Sequence, residues 1–134
     1  MAMSGIQTMI KSIYGKEGIT REGMKRVFSL QLFDKELITD EIIDQRYEIA
    51  MTQPMVVFSS LRVPNYAERL SQLTCPILGL WGVNDNFCPV SGAERIASKS
   101  PNARVMTINQ CGHWVMVEHQ EVFNRLVLDF LQNG

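Results

Sequence analysis

The sequence predicts an α/β chain in which a helical block leads into a parallel βαβ unit, and three observations carry this expectation. Residues up to about Val63 show only 3.6-residue apolar periodicity, with helix caps and breakers between the segments. Two short apolar runs, residues 76–82 and 103–108, read as buried strands. Between them residues 90–100 carry a helical pattern that Pro101 and Asn102 break, which leaves one helix to connect two strands.

In the helical block, Ile6, Met9, Ile10 and Ile13 form one face of a first helix, ended by the glycines of residues 15–18. Thr20 is the expected N-cap of a second helix bearing Met24, Val27, Phe28, Leu30 and Leu32. Thr39 caps a third, with Asp40 and Glu41 at the positive end of its dipole and Ile38 placed to staple against Ile43. That helix should stop near Gln53, because Pro54 disfavours helical backbone in the residue before it. Pro54 can open a further helix over residues 55–61, and Pro64 ends it. The block is read as wholly helical. Its several methionines, among eight in the chain, are read as core or inter-helix packing.

After a short helix or turn around residues 66–70 come the strand ending at Trp81, a turn-rich loop, the connecting helix and the second strand. A last helix over residues 120–131 carries Val122, Phe123, Leu126, Val127 and Phe130 as an apolar stripe. Two parallel strands do not make a stable sheet, since open sheets hold about five or six and parallel ones need both faces covered. The unit is therefore expected to have further strands beside it, from another chain or from a larger whole.

Bulk properties narrow the function. With 13 Lys and Arg against 14 Asp and Glu, the net charge is −1, and no basic block or acidic tail points to nucleic acid. No apolar run reaches membrane-spanning length, and the first residues lack the pattern of a signal peptide. Cys75, Cys88 and Cys111 cannot all pair within one chain and lack metal-ligand spacing, so reduced thiols in a cytoplasmic protein are expected, with no metal and no cofactor.

One pair of residues carries chemistry. Asp85 lies in the loop after the first strand, and His113 follows Gly112 in the loop after the second. If the strands are parallel, both loops emerge at the same edge of the sheet, where open α/β sheets place their sites. The acid can then hold one imidazole tautomer and stabilise its protonated form. Taken alone, an acid placed like Asp85 is usually just a turn former, and His113 is equally a structural or surface histidine. Cys111, two residues before His113, is not read as a nucleophile, because side chains two apart on a loop seldom face each other. His119 is read as structural.

The loop around Asp85, the turn Gly112-His113-Trp114, the pair Glu118-His119 and the run Phe123-Asn124-Arg125 resemble the C-terminal half of α/β-hydrolases, and more closely the meta-cleavage product hydrolases. Residues 33–41 with Gln45, Arg46 and Tyr47 resemble that group's lid. The resemblance implies a partial α/β-hydrolase fold, with a lid segment over residues 1–64 and the last strands and helices of the core over residues 65–134. It implies cleavage of a carbon–carbon bond in 2-hydroxy-6-oxo-hexa-2,4-dienoates, the ring-opened products of aromatic catabolism. Asp85 matches the triad acid and His113 the triad base. Trp114 matches a residue that contacts the dienoate, Arg46 a lid arginine that binds the substrate's anionic end, and Phe87 a pocket-wall residue. The partner implied is a small-molecule substrate.

The family's nucleophile is a serine in a Gly-x-Ser-x-Gly frame, and no serine here has it: Ser4 has Ala2 and Ile6 at the glycine positions, and Ser91 has Pro89 and Ala93. The expectation is a chain without the nucleophile half, inactive by itself, whose partner is a second copy of itself or a complementary N-terminal half. Two alternatives stand beside it. One is an inactive, self-associating or binding module, and the other is a related ester, epoxide or haloalkane hydrolase.

Overall fold

The computed structural model describes Met9, residues 18–54, Val56 and residues 64–134. The helices expected over residues 5–14 and 55–61 lie, apart from Met9 and Val56, outside the described residues. Helix α1 (Arg21–Gln31) starts where Thr20 adopts extended backbone and its hydroxyl accepts a hydrogen bond from Gly23 N at 3.0 Å. Helix α2 (Asp40–Thr52) starts in the same way at Thr39, whose hydroxyl accepts from Ile42 N at 3.3 Å. Both caps satisfy an amide that the first turn leaves without a partner. Gln53 ends α2 in extended backbone before Pro54.

The interval between α1 and α2 holds a tight turn. Asp34 accepts from Glu36 N at 2.9 Å and starts a one-turn 3-10 segment, Lys35–Leu37. The Lys35 ammonium donates to the carbonyls of Ser29, at 2.6 Å, and Leu32, so a cation caps the negative end of α1. Phe28, Leu32 and Ile43 form the buried cluster that joins the two helices, with Met24, Leu37, Ile38, Ile42 and Trp114 packed around it. Ile38 and Ile43, the expected staple, meet there.

A 3-10 segment, Ala67–Gln72, leads into strand β1 (Ile77–Gly82), helix α3 (Ser91–Lys99) and strand β2 (Ala103–Ile108). The strands pair in parallel, with Ile77 opposite Ala103 and Gly82 opposite Ile108. Helix α3 packs on both strands. A one-turn helix, α4 (Val115–Glu118), not anticipated from the sequence, precedes α5 (Gln120–Asn133). The stripe of α5 is half-buried, while its Leu128 and Leu131 are 57% and 73% exposed. Among the described residues the sheet has only these two strands, and no helix is long and apolar enough to cross a membrane.

Candidate active site

The parallel register delivers the ends of β1 and β2 to one edge, and the backbone stays stitched beyond them. Val83 N donates to Ile108 O at 2.8 Å, and Asn84 N donates to Cys111 O at 2.9 Å. This close approach has a steric condition. A Cβ on Gly82 would strike the carbonyl oxygens of Gly112 and Cys111, so only glycine fits. The loop after β1 folds back on its strand, where the Trp81 indole N–H donates to Cys88 O at 2.9 Å.

Asp85 thereby becomes a buried, fully engaged carboxylate. Its Oδ1 accepts from Phe87 N at 2.7 Å and Cys88 N at 2.8 Å, and its Oδ2 lies 2.8 Å from His113 Nδ1. Its side chain is 4% exposed, against 31% for His113. Two amides fix Oδ1, and an ionised Asp85 only accepts, so at Oδ2 it takes the proton of His113 Nδ1. That tautomer leaves Nε2 with a lone pair, the arrangement of a general base. Gln110 enters the histidine loop in the left-handed region at φ 51°, and its carbonyl lies 3.0 Å from His119 Nε2. His119 thus holds the loop, which fits its structural reading.

Of the other expected residues, Phe87 meets the pair directly, while Trp114 and Arg46 meet each other. The Phe87 ring lies 5.0 Å from the imidazole. Trp114 meets Phe28 edge-to-face with ring centres 5.0 Å apart, and the Arg46 guanidinium sits 4.8 Å from the centre of the Trp114 ring. Arg46 and Trp114 line a cavity of about 220 Å³, together with Met24, Val27, Phe28 and Ile49. Arg46 is the one cation among the described residues of that lining, which is otherwise mostly apolar. Among the described residues no group of three or more His, Cys, Asp or Glu is placed to hold a metal ion.

Cys111 lies beside this pair without joining it. It is fully buried, its thiol points to Gly112 O at 3.7 Å, and burial, helped by the charges of Glu118 and Asp85, pushes its pKa up to about 11. A thiol held protonated is a poor nucleophile. Alkylation by iodoacetamide at pH 8 is expected to label exposed Cys75 at least about 100-fold faster than Cys111, read by peptide mass spectrometry. Comparable rates would refute the buried-thiol account. Because the folded pKa lies above the unfolded one, this thiol favours the folded state below pH 9, and that contribution is lost as pH rises from 9 towards 11.

Sequence reasoning gave no role to Glu118. Its carboxylate accepts from the amides of Gly112, Phe33 and Asp34. Nothing in local periodicity marks such a contact. Its only sequence signal is an acid close behind the histidine.

Known proteins share this architecture. The family model described as TAP-like protein, an α/β-hydrolase model, matches residues 56–134. Over its whole length the chain is 32% identical to a 2-hydroxy-6-oxononadienedioate/2-hydroxy-6-oxononatrienedioate hydrolase of Comamonas testosteroni, covering 49% of that protein. It is also 32% identical over its whole length to a 2-hydroxy-6-oxo-6-phenylhexa-2,4-dienoate hydrolase of Burkholderia cepacia, again covering 49% of it. A solved meta-cleavage product hydrolase from Pseudomonas fluorescens IP01 superposes with a TM-score of 0.77 at 27% identity, over 92% of this chain and 49% of that one. An esterase from Exiguobacterium antarcticum superposes with a TM-score of 0.79 at 14% identity, over 99% and 49%, a likeness of fold alone. The chain spans about half the length of the curated relatives it matches. The chain belongs to the α/β-hydrolase family described as TAP-like, and along its whole length it is similar to meta-cleavage product hydrolases.

Proposed function

We propose that this chain supplies the acid–base pair and the lid of a hydrolase that cleaves a carbon–carbon bond in ring-opened aromatic catabolites of the 2-hydroxy-6-oxo-hexa-2,4-dienoate type. Residues 1–64 form the lid segment and residues 65–134 the C-terminal part of the core. The observation that carries the reading is the 2.8 Å contact between His113 Nδ1 and buried Asp85; Trp114, the residue after His113, lines a cavity with Arg46. A complementary half of the fold supplies the serine nucleophile and the oxyanion donors, and the substrate is a small anionic molecule.

The chemistry follows from the substrate. Breaking its carbon–carbon bond leaves an electron pair on carbon, which only a conjugated carbonyl can accept. A proton must therefore first move from the 2-hydroxyl to carbon to give the keto tautomer. His113 Nε2 is the shuttle for that proton. It then takes the proton of the serine hydroxyl as the acyl group is attacked, delivers it to the departing carbon, and activates water for deacylation. Asp85 holds the tautomer throughout. Arg46 binds the carboxylate with its planar fork, while Trp114 and Phe87 wall the conjugated chain.

The test follows the loss of colour of a ring-fission dienoate, with a simple ester as control, using the chain alone and the chain combined with the N-terminal half of a relative. Turnover of the dienoate is expected only in the combination. Arg46→Ala is expected to raise KM by roughly 10- to 100-fold, the loss of a charge-assisted contact. Unchanged KM would remove Arg46 from the substrate. Ester turnover without dienoate turnover would favour a related ester hydrolase. Dienoate turnover by the chain alone, abolished in His113→Ala, would place a nucleophile within these residues.

A second reading, an inactive self-associating module, is favoured by the exposed Leu128 and Leu131 and by a sheet of two strands among the described residues. Sedimentation of the chain with and without the complementary half separates the two. A dimer that the added half does not dissociate supports the module.

A further inference from the structure

Glu118 does more than its place on a four-residue helix requires. Its Oε1 accepts from Gly112 N at 2.7 Å, and its Oε2 accepts from Phe33 N at 2.7 Å and Asp34 N at 2.9 Å. None of these amides lies in a helix or strand. They belong to two loops far apart in sequence, one directly before His113 and one directly after α1. The loops cross tightly. His113 N donates to Gln31 O, and a Cβ on Gly112 would lie 2.8 Å from Phe33 N. At this crossing a carboxylate suits three amides because it only accepts. On the same turn Lys35 serves the carbonyls, so the crossing has a cation on its acceptors and an anion on its donors.

We infer that Glu118 is a positioning residue that locks the lid segment to the loop of the base, so that His113, Trp114 and Arg46 keep one mutual geometry. Through Gly112 the carboxylate fixes the backbone that carries His113. Through Phe33 and Asp34 it fixes the end of α1, whose Phe28 packs on Trp114 and whose partner helix α2 carries Arg46. The inference rests on reading His113 as the base. Glutamine has the same shape but one acceptor oxygen, so its amino group must face an amide N–H at one of the two loops.

The test uses the 15N-labelled full chain, wild type and Glu118→Gln, at neutral pH. Two readings are taken: the low-field proton of His113 Nδ1, identified by its loss in Asp85→Asn, and amide exchange at Gly112, His113, Phe33 and Asp34. In Glu118→Gln the low-field proton is expected to shift or broaden, and exchange to quicken at least about 10-fold at the histidine loop and the lid turn. Glu68→Gln, which removes an exposed ion pair with Lys99, is expected to change neither. Glu118→Asp keeps the charge but is too short to reach both loops, and it decides the matter where Glu118→Gln does not fold, with exchange rising at one loop only. A His113 signal and Gly112 exchange that stay at wild-type values in the variants would overturn the inference. A wild-type chain without the Asp85-dependent proton would instead overturn the reading of the active site, and amide exchange would still decide the role of Glu118.

Discussion

Replacing His113 by alanine, in a hydrolase assembled from this chain and a nucleophile-bearing half, is expected to lower dienoate turnover by on the order of a million-fold. The size follows from what the imidazole alone can do. Its Nδ1 is committed to Asp85, and Asp85 is pinned by the amides of Phe87 and Cys88, so Nε2 is the atom left to act as a base. Without it a serine hydroxyl stays protonated, and what remains is binding and oxyanion stabilisation. Asp85→Asn should cost on the order of 10,000-fold, because its amide offers an N–H to Nδ1 and favours the other tautomer. Single-turnover spectrophotometry checks both. A His113→Ala enzyme within about tenfold of wild type would remove the histidine from the reaction.

The second large effect concerns stability. Gly82→Ala is expected to destabilise the chain by roughly 3 kcal/mol or more, at the upper end of overpacking costs. The new methyl group would meet backbone, the carbonyls of Gly112 and Cys111, and no side-chain rotation can make room. Relief requires the loops after β1 and β2 to part. That breaks the Asn84–Cys111 hydrogen bond and draws Asp85 away from His113. Urea denaturation measures the loss, and a change below about 1 kcal/mol would mean that the loops are not in the close contact described.

What the sequence revealed and what it hid divide along a physical line. The caps at Thr20 and Thr39, the stop before Pro54, both strands and the order acid-then-histidine are local features, set by neighbours within a few residues. The meeting of Asp85 and His113 was legible because a βαβ unit brings two loops to one edge. Arg46 was named only through resemblance: its contact with Trp114 joins residues from opposite halves of the chain, and helical periodicity says nothing about it. Glu118 shows the limit most clearly, because it binds backbone amides, which every residue but proline carries, so no partner type stands out in the sequence. The sequence reading gives the 3-10 turn between α1 and α2 no form of its own, because the capping bonds of Asp34 and Lys35 that shape it reach only a few atoms and leave no periodic pattern.

The two bonding systems of the site differ in how far the chain must search to make them. Asp85 and His113 are 28 residues apart within one supersecondary unit, while Glu118 reaches back 85 residues to Phe33. Loop closure over the shorter span costs less entropy, and local contacts form faster. The acid–base contact therefore closes a short loop within one supersecondary unit, while the carboxylate of Glu118 and the amide of His113 tie that unit to the distant turn after α1. Closing the longer of the two loops restricts far more of the chain, so the entropy held at that one carboxylate exceeds what the acid–base contact holds.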